Sequence, residues 1–236
     1  DISSLNVTED WNAPDQFPKR VAEGEGVVRE AMKYYSWLFE EKPSEPEARE
    51  MMLEHLRKKQ ISKKSRERLE KPVTDTQVRS AIRSMARGKA PGPDGLISEF
   101  YKEFEDLVAP DMLRMFHEAV QTGEYHKSVR SGHIIVLYKK GDPREVRNYR
   151  PITLLNTDYK ILSKVMVARL GAVMDEIVSS PQLGFVPGRR ITEATHLLKL
   201  AQALAEEEDQ EGLVVAADWE KAFDRVSWEF LHAAVE

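Results

Sequence analysis

We expect the fold to be organised around the stretch Gly212-Leu213-Val214-Val215-Ala216-Ala217-Asp218-Trp219-Glu220-Lys221-Ala222-Phe223-Asp224-Arg225-Val226. It opens on a short apolar run rich in β-branched residues, which is typical of a buried strand. The run ends at Asp218, and a carboxylate at the end of a buried strand is costly unless something pairs with it. Ligands and metals commonly bind at that end of a strand in α/β and α+β folds. The alternative is an Asp that only caps the next turn.

The residues after Asp218 predict a turn followed by a helix. Ser227 is a plausible N-cap for this helix, because a Ser side chain can accept a bond from the first helical turn. The apolar positions that fit the turn and the helix are Ala222, Phe223, Val226, Phe230 and Leu231.

Composition limits the possible classes. The chain has 236 residues, of which 41% are hydrophobic, so it can form a core in one large domain or two small ones. Cysteine is absent, which excludes disulfides and thiolate metal sites and fits an intracellular protein, nuclear or cytoplasmic. No apolar run is long enough to span a membrane, and no signal-peptide pattern is present.

Charge is unevenly distributed along the chain. The net charge is −5, yet residues 57–71 and 127–150 are both strongly basic, while acidic residues collect at 206–211. Basic blocks in an acidic chain predict faces that bind anions. The alternative is a pair of solvated faces, and for residues 57–71 the two interpretations remain equally open.

Two predicted strands bring cations together. Residues 133–138 form the first strand, a turn follows at residues 139–143, and residues 150–155 form the return strand. If these strands pair, Lys139 and Arg150 lie at the same end of a hairpin. They repel each other there unless an anion such as phosphate lies between them. The alternative is surface charge flanking a loop.

Helices are predicted from apolar periodicity and from capping signals. Thr74-Asp75-Thr76-Gln77 is a capping box, and Gly88 is a candidate left-handed residue at the end of that helix. The run Gly88–Gly95 predicts a rigid turn that is not a Walker phosphate loop. Residues 1–22 are expected to be irregular, with Pro14 and Pro18. The other predicted helices cover residues 23–41, 47–59, 98–108, 110–122, 159–178 and 192–208.

Four motifs, in order, resemble those of LINE-type (non-LTR) retrotransposon reverse transcriptases. They lie in residues 88–101 (Gly-Lys-Ala-Pro-Gly-Pro-Asp-Gly, then Glu-Phe-Tyr), 139–156 (Lys-Lys-Gly-Asp-Pro, then Asn-Tyr-Arg-Pro-Ile-Thr-Leu-Leu-Asn), 182–189 (Gln-x-Gly-Phe-x-x-Gly-Arg) and 218–226 (Asp-x-x-Lys-Ala-Phe-Asp-x-Val). The resemblance runs from about residue 74 to residue 235. A group II intron maturase would share the fold but usually has different residues in these motifs.

The resemblance implies an α+β fold, a truncated right-hand polymerase. It is mostly helical, with a fingers β-hairpin and the first strand of the palm. Residues 1–72 are expected to form a helical N-terminal linker, and residues 73–236 the fingers and an incomplete palm. The aromatic-Ala-Asp-Asp motif that carries further catalytic carboxylates in this family is absent from the sequence. We therefore expect a fragment that lacks the C-terminal palm and thumb and has no activity alone.

The resemblance also implies roles for individual residues. Lys139 and Arg150 hold the nucleotide triphosphate, although Tyr138 stands where the family usually has proline. Asp218 is the catalytic carboxylate and a ligand of two Mg²⁺ ions. Phe223 packs under the sugar and excludes a 2′-hydroxyl, the alternative being a core aromatic. The residues expected to contact the template or other nucleic acid are Lys89, Lys140, Arg144, Arg147, Gln182 and Arg189.

The expected partners are an RNA template, a DNA primer and deoxynucleoside triphosphates, with no membrane. The sequence therefore favours part of an RNA-directed DNA polymerase. The alternative function is a non-catalytic RNA- or nucleic-acid-binding module that retains the shape of the polymerase fingers.

Overall fold

The computed structural model describes residue 2, residues 4–7 and residues 20–236. The strands are β1 (Ser4–Val7), β2 (Arg20–Glu23), β3 (Gly132–Tyr138) and β4 (Tyr149–Leu155). The helices are α1 (Glu25–Phe39), α2 (Pro46–Arg57), α3 (Lys63–Glu70), α4 (Asp75–Ser84), α5 (Ser98–Glu103), α6 (Glu105–Thr122), α7 (Lys127–Arg130), α8 (Thr157–Gly171), α9 (Met174–Ile177), α10 (Thr192–Glu207) and α11 (Trp228–Val235). A short 3₁₀ helix covers Val146–Asn148. None of the helices in these ranges is long and apolar enough to cross a membrane.

This architecture confirms a mixed fold, mainly helical with small sheets. The chain forms two compact units. Unit 1 contains residues 1–53, 132–154 and 219–236, and unit 2 contains residues 54–131 and 155–218. Both two-stranded sheets, β1–β2 and β3–β4, belong to unit 1. The N-terminal residues therefore share a unit with the predicted hairpin, while the domain division at residue 72 stays a prediction.

Unit 1 includes a strand pair where irregular structure was expected. β1 and β2 pair antiparallel, with Leu5 opposite Ala22. Pro14 and Pro18 lie outside the described residues. Asn6 is buried and ties β1 to the loop of the hairpin, because its Nδ2 donates to Glu145 Oε1 at 2.6 Å. The buried core of this unit consists of Leu5, Val27, Tyr34, Tyr35, Leu38, Val146 and Tyr149.

Unit 2 is built on α4, α5, α6 and α8. The predicted capping box is present: Thr74 Oγ1 accepts from Gln77 N, and the Gln77 side chain accepts from Thr74 N. The apolar face of α4 then packs on α6 and α8. The buried core consists of Val73, Val78, Ala81, Ile82, Tyr101, Ala109, Met112, Phe116, Ile161, Leu162 and Val165.

Two predicted helix boundaries in unit 2 are wrong. The break expected before Pro110 occurs at Phe104, so Pro110 lies inside α6. The acidic pair Glu105 and Asp106 favours a helix start here, because carboxylates stabilise the positive end of the helix dipole. The single helix expected over residues 159–178 is interrupted after Gly171, where α8 ends.

The strand expected at residues 212–217 is not formed. Residues 210–219 have no regular secondary structure, and the side chains of Leu213 and Val215 are 88% and 77% exposed. A strand needs a neighbour to satisfy its backbone groups, and the described residues place none beside this run. By contrast, the predicted N-cap is correct, since Ser227 Oγ accepts from Phe230 N at the start of α11.

Candidate functional site

The predicted hairpin is present, because β3 and β4 pair in a two-stranded sheet. Lys139 follows β3 directly, and its backbone N–H donates to the carbonyl of Asn148 at 2.9 Å. Tyr138, which replaces the proline usual in the resembling family, donates its hydroxyl to the carbonyl of Gly141 at 2.6 Å. Gly141 adopts φ 95°, a conformation that glycine tolerates and other residues rarely adopt. Local bonds therefore fix the loop that presents Lys139.

Two of the expected nucleic-acid-binding cations already have acidic partners. Arg144 forms a two-pronged pair with Asp142, with N–O distances of 3.2 and 3.0 Å, and this hydrogen bonding raises the pKa of the guanidinium. Arg147 lies 3.8 Å from Glu145, whose carboxylate is buried. These pairs stabilise the hairpin loop, so nucleic-acid contacts by Arg144 and Arg147 stay a prediction.

The other three hairpin cations are exposed and available to an anion. The side chains of Lys139, Lys140 and Arg150 all face solvent. Within residues 20–236, no carboxylate lies within ion-pair distance of them. An anion can therefore approach them without displacing an internal partner.

Lys221 adds a fourth cation that the sequence alone did not single out. It has φ 53°, and its Nζ donates to the carbonyls of Arg147 at 3.3 Å and Tyr149 at 3.4 Å. Burial lowers the pKa of Lys221, and the charges of Lys139 and Arg150 lower it further, against the opposing effect of nearby carboxylates. The charges of Lys139 and Arg150 therefore act on Lys221.

Lys221 also approaches the aromatic core of unit 1. Its Nζ lies 5.9 Å from the centroid of the Tyr34 ring, a cation–π geometry. Burial raises the pKa of Tyr34 to about 12, with the Glu220 carboxylate acting in the same direction. Lys221 thus attaches the turn that follows Asp218 to α1 and to the start of β4.

Phe223 lies in a turn at residues 220–226, in agreement with the turn that the sequence predicts after Asp218. Its side chain is 86% exposed. The alternative interpretation, a core aromatic, is therefore wrong for this structure. An exposed ring is accessible to a ligand, but its contact with a nucleotide sugar stays a prediction.

Asp218 is exposed in the irregular segment that precedes the turn. The described residues contain no group of three or more His, Asp or Glu side chains arranged to hold a metal ion. Hard cations such as Mg²⁺ require several oxygen ligands. The residues that the structure describes therefore do not by themselves fit a site for two Mg²⁺ ions.

The loop at residues 88–95 is fixed against the start of α8. Asn156 is buried, and its side chain accepts from Asp94 N at 3.3 Å and donates to the carbonyl of Ser128 at 2.9 Å. Gly92 passes so close to Asn156 that a side chain at position 92 would overlap it. Gly88 has φ 67° but lies beyond the end of α4, so it does not cap that helix as predicted.

Lys89 projects from this rigid loop and is exposed. Its exposure leaves the side chain accessible to nucleic acid. That contact stays a prediction. Asn156, which anchors the loop, is the last residue of the hairpin motif, and the sequence predicts no separate role for it. Its role could not be read from sequence, because its partners lie 62 and 28 residues away along the chain.

The loop at residues 182–189 uses its arginine internally. Arg189 donates to the carbonyls of Gln182 at 2.8 Å and Val178 at 3.0 Å, and pairs with Asp175 at 3.0 Å. Gln182 donates to the carbonyl of Gly184 at 3.2 Å. Both residues therefore shape the loop, and their contact with a template stays a prediction.

Comparison with known proteins identifies the relatives of this chain. Residues 138–236 match the family model described as reverse transcriptase (RNA-dependent DNA polymerase). The chain is 37% identical over 207 residues to the transposon TX1 uncharacterized 149 kDa protein of Xenopus laevis, covering 88% of this chain and 16% of that protein. It is 29% identical over 157 residues to the RNA-directed DNA polymerase from mobile element jockey of Drosophila melanogaster, covering 65% of this chain and 17% of that protein.

A third relative is the retrovirus-related Pol polyprotein from type-1 retrotransposable element R1 of Bradysia coprophila. The identity is 27% over 158 residues, which cover 64% of this chain and 15% of that protein. The chain thus spans about one sixth of the length of the relatives that it matches.

Proposed function

Because this chain is part of a reverse transcriptase of the non-LTR retrotransposon kind, we propose that it supplies the nucleotide-binding fingers of an RNA-directed DNA polymerase. The observation that carries this proposal is that Lys139 and Lys221 both donate to backbone carbonyls of residues 147–149, immediately before Arg150, which brings the three cations to one end of the β3–β4 hairpin. The substrates are deoxynucleoside triphosphates, an RNA template and a DNA primer.

The cation cluster suits a triphosphate. Arg150 offers a planar fork that can bind two phosphate oxygens, and Lys139 offers a compact charge. Lys221 is held by two backbone carbonyls, which orient its ammonium group without neutralising it. Three cations in one place repel one another, so binding a polyvalent anion relieves their repulsion.

Phe223 and Asp218 complete the proposal. The exposed ring of Phe223 packs beneath the sugar and selects deoxynucleotides by excluding the 2′-hydroxyl. Asp218 contributes one carboxylate ligand for the Mg²⁺ ions used in nucleotidyl transfer. Since the described residues do not complete that ligand set, we further propose that the isolated chain does not polymerise.

Binding of RNA by the isolated 236-residue chain provides a first test. Replacing Lys139, Lys140 and Arg150 by Ala is expected to weaken binding and to reduce the slope of log K against log salt by roughly 0.7 for each phosphate that the variant can no longer bind. A control variant removes three exposed lysines elsewhere, Lys63, Lys64 and Lys199. Equal losses of affinity in both variants would show that the hairpin is only a solvated face.

The alternative, a non-catalytic nucleic-acid-binding module, makes a different prediction. Such a module would bind RNA but would have no specific affinity for triphosphate. Competition by inorganic tripolyphosphate separates the two functions. Tripolyphosphate binding that depends on Lys139 and Arg150 supports the polymerase, whereas hairpin-dependent RNA binding without it supports the module.

A further inference from the structure

A cleft of about 540 Å³ lies in unit 2 between the end of α3, the side of α4 and α8. Its hydroxyl groups belong to Thr76, Ser80 and Ser84, which lie on one line along α4. They recur every fourth residue, so neighbouring positions are ~6 Å apart along the helix axis. The cleft also contains the side chains of Arg68, Lys164 and Arg169, and no carboxylate is among its described lining residues.

Two of these cations are held in place without being neutralised. Lys164 Nζ donates to the carbonyl of Ser84 at 3.0 Å. Arg169 donates to the Gln77 side-chain oxygen at 3.3 Å and to carbonyls at the end of α3, including that of Leu69 at 2.5 Å. A carbonyl carries only a partial charge, so both cations keep their net positive charge in the cleft.

The cleft also differs from its neighbour on the other side of the hydroxyl line. A shallow depression there is lined by Arg79 and Arg83. Both arginines are paired with carboxylates, Glu105 accepting from each of them. In the part of the chain that the structure describes, Arg68, Lys164 and Arg169 have no such ion pair. Of these two depressions, the cleft between α3 and α8 is therefore the one whose cations have no carboxylate partner among the described residues.

We propose that this cleft binds the phosphate backbone of a nucleic-acid strand, independently of the hairpin. Cations and hydroxyl groups are the usual ligands of backbone phosphates, and such contacts carry no sequence information. The lining residues include no aromatic side chain that could stack on a base. We take the strand to be RNA, because the proposed polymerase uses an RNA template. The choice of RNA therefore rests on the proposed function.

This site gives a role to the basic block at residues 57–71. Arg68 is the one cationic side chain of that block that lines the cleft, while Arg66 is exposed on the same helix and does not line it. The two arginines therefore form a matched pair. Changing either to Glu alters the net charge equally, but only the change at Arg68 places a negative charge in the cleft.

The test measures binding of a labelled single-stranded oligouridine RNA to the full 236-residue chain by fluorescence anisotropy. All variants carry Lys139→Ala, Lys140→Ala and Arg150→Ala, so that neither hairpin binding nor polymerase activity enters the result. Arg68→Glu is expected to weaken binding roughly tenfold and to lower the salt slope by about 0.7 or more, while Arg66→Glu has a much smaller effect.

If Arg68→Glu lowers the melting temperature, its loss of RNA binding could come from unfolding. A second variant then provides an independent test of the cleft. Ser80→Asp, on exposed α4 surface, places a carboxylate at the centre of the hydroxyl line and is expected to cause a similar loss of affinity. Equal effects of Arg68→Glu and Arg66→Glu would overturn the proposal. It would also be overturned if Arg68→Glu and Ser80→Asp abolished binding of poly-glutamate but left RNA binding intact, since the cleft would then take an acidic protein.

Discussion

The Nζ atom of Lys221 lies 3.4 Å from the carbonyl oxygen of Tyr149, the first residue of β4. This bond joins the turn that carries Phe223 to the strand that carries Arg150. The charges of Lys139 and Arg150 lower the pKa of the same lysine, in addition to the larger effect of burial. Lys221 therefore connects two sequence motifs that lie about seventy residues apart.

Lys221→Arg is expected to change the pH dependence of triphosphate binding. Anion binding requires the protonated amine, and the lowered pKa of Lys221 means that this proton is lost at a lower pH than from an ordinary lysine. Tripolyphosphate affinity of the wild-type chain should therefore begin to fall at a lower pH than an ordinary lysine would produce. Arginine stays charged as the pH rises, so the variant should retain its affinity.

Isothermal titration calorimetry between pH 7 and pH 10 measures this difference. Lys42→Arg, three residues beyond the end of α1, provides a control with the same chemical change. A wild-type profile that Lys221→Arg leaves unaltered would show that Lys221 does not contact the anion.

Gly92→Ala is expected to destabilise unit 2. A Cβ at this position would lie 2.5 Å from the carbonyl carbon of Leu155 and would overlap the side chain of Asn156. Overpacking of this kind typically costs about 1–3 kcal/mol. The free energy of unfolding from urea titration measures the destabilisation, with Gly212→Ala as a control because nothing lies near that position. Equal stability of the two variants would mean that the loop can shift away from α8.

The sequence predicted those features that depend on a few neighbouring residues. The capping box of Thr74 and Gln77, the N-cap at Ser227 and the hairpin of β3 and β4 are all confirmed. Caps and strand periodicity are local, so a short stretch of chain determines them.

Features that depend on distant partners were missed or wrong. The apolar run at residues 212–217 has the composition of a strand, but a strand forms only beside another strand. The anchoring of Lys221 and Asn156 depends on carbonyl and amide groups far away in the chain. The cleft at Arg68 combines three helices, and no single stretch of sequence contains its pattern.

Glu105→Gln is expected to weaken the attachment of α4 to α6 in a pH-dependent way. Glu105 accepts two hydrogen bonds from Arg83 and one from Arg79, and the Arg83 bonds are the main cause of its lowered pKa. A carboxylate whose pKa is lowered by folding stabilises the protein above its unfolded pKa. This stabilisation disappears as the pH falls through the folded pKa.

The stability of wild type and Glu105→Gln should therefore differ at pH 7 and converge as the pH falls through the lowered pKa of Glu105 in the folded protein. Thermal unfolding at several pH values measures the difference. Asp106→Asn is the control, because the Asp106 side chain is 98% exposed and its pair with Arg79 should contribute little. A Glu105→Gln deficit that persists unchanged at low pH would point to altered packing instead of the missing charge.

If the proposed function is correct, Phe223→Ala should relax sugar selection in an active polymerase that contains this sequence. Removing the ring leaves room for a 2′-hydroxyl, so the ratio of kcat/KM for deoxynucleotide over ribonucleotide should fall, while much of the deoxynucleotide rate remains. Asp218→Ala should abolish both reactions. An unchanged ratio would place the selection of the sugar elsewhere.

The triphosphate site at the hairpin is tested most directly by the KM for a deoxynucleoside triphosphate in RNA-templated primer extension, measured on an active polymerase that contains this sequence. Lys139→Ala and Arg150→Ala are each expected to raise this KM by at least roughly tenfold, since each removes a charge-assisted hydrogen bond worth about 1.5–3 kcal/mol. Lys140→Ala, an exposed neighbour on the same loop, should change it little. If Lys139→Ala and Arg150→Ala both left the KM at the wild-type value, the hairpin would not be the triphosphate site.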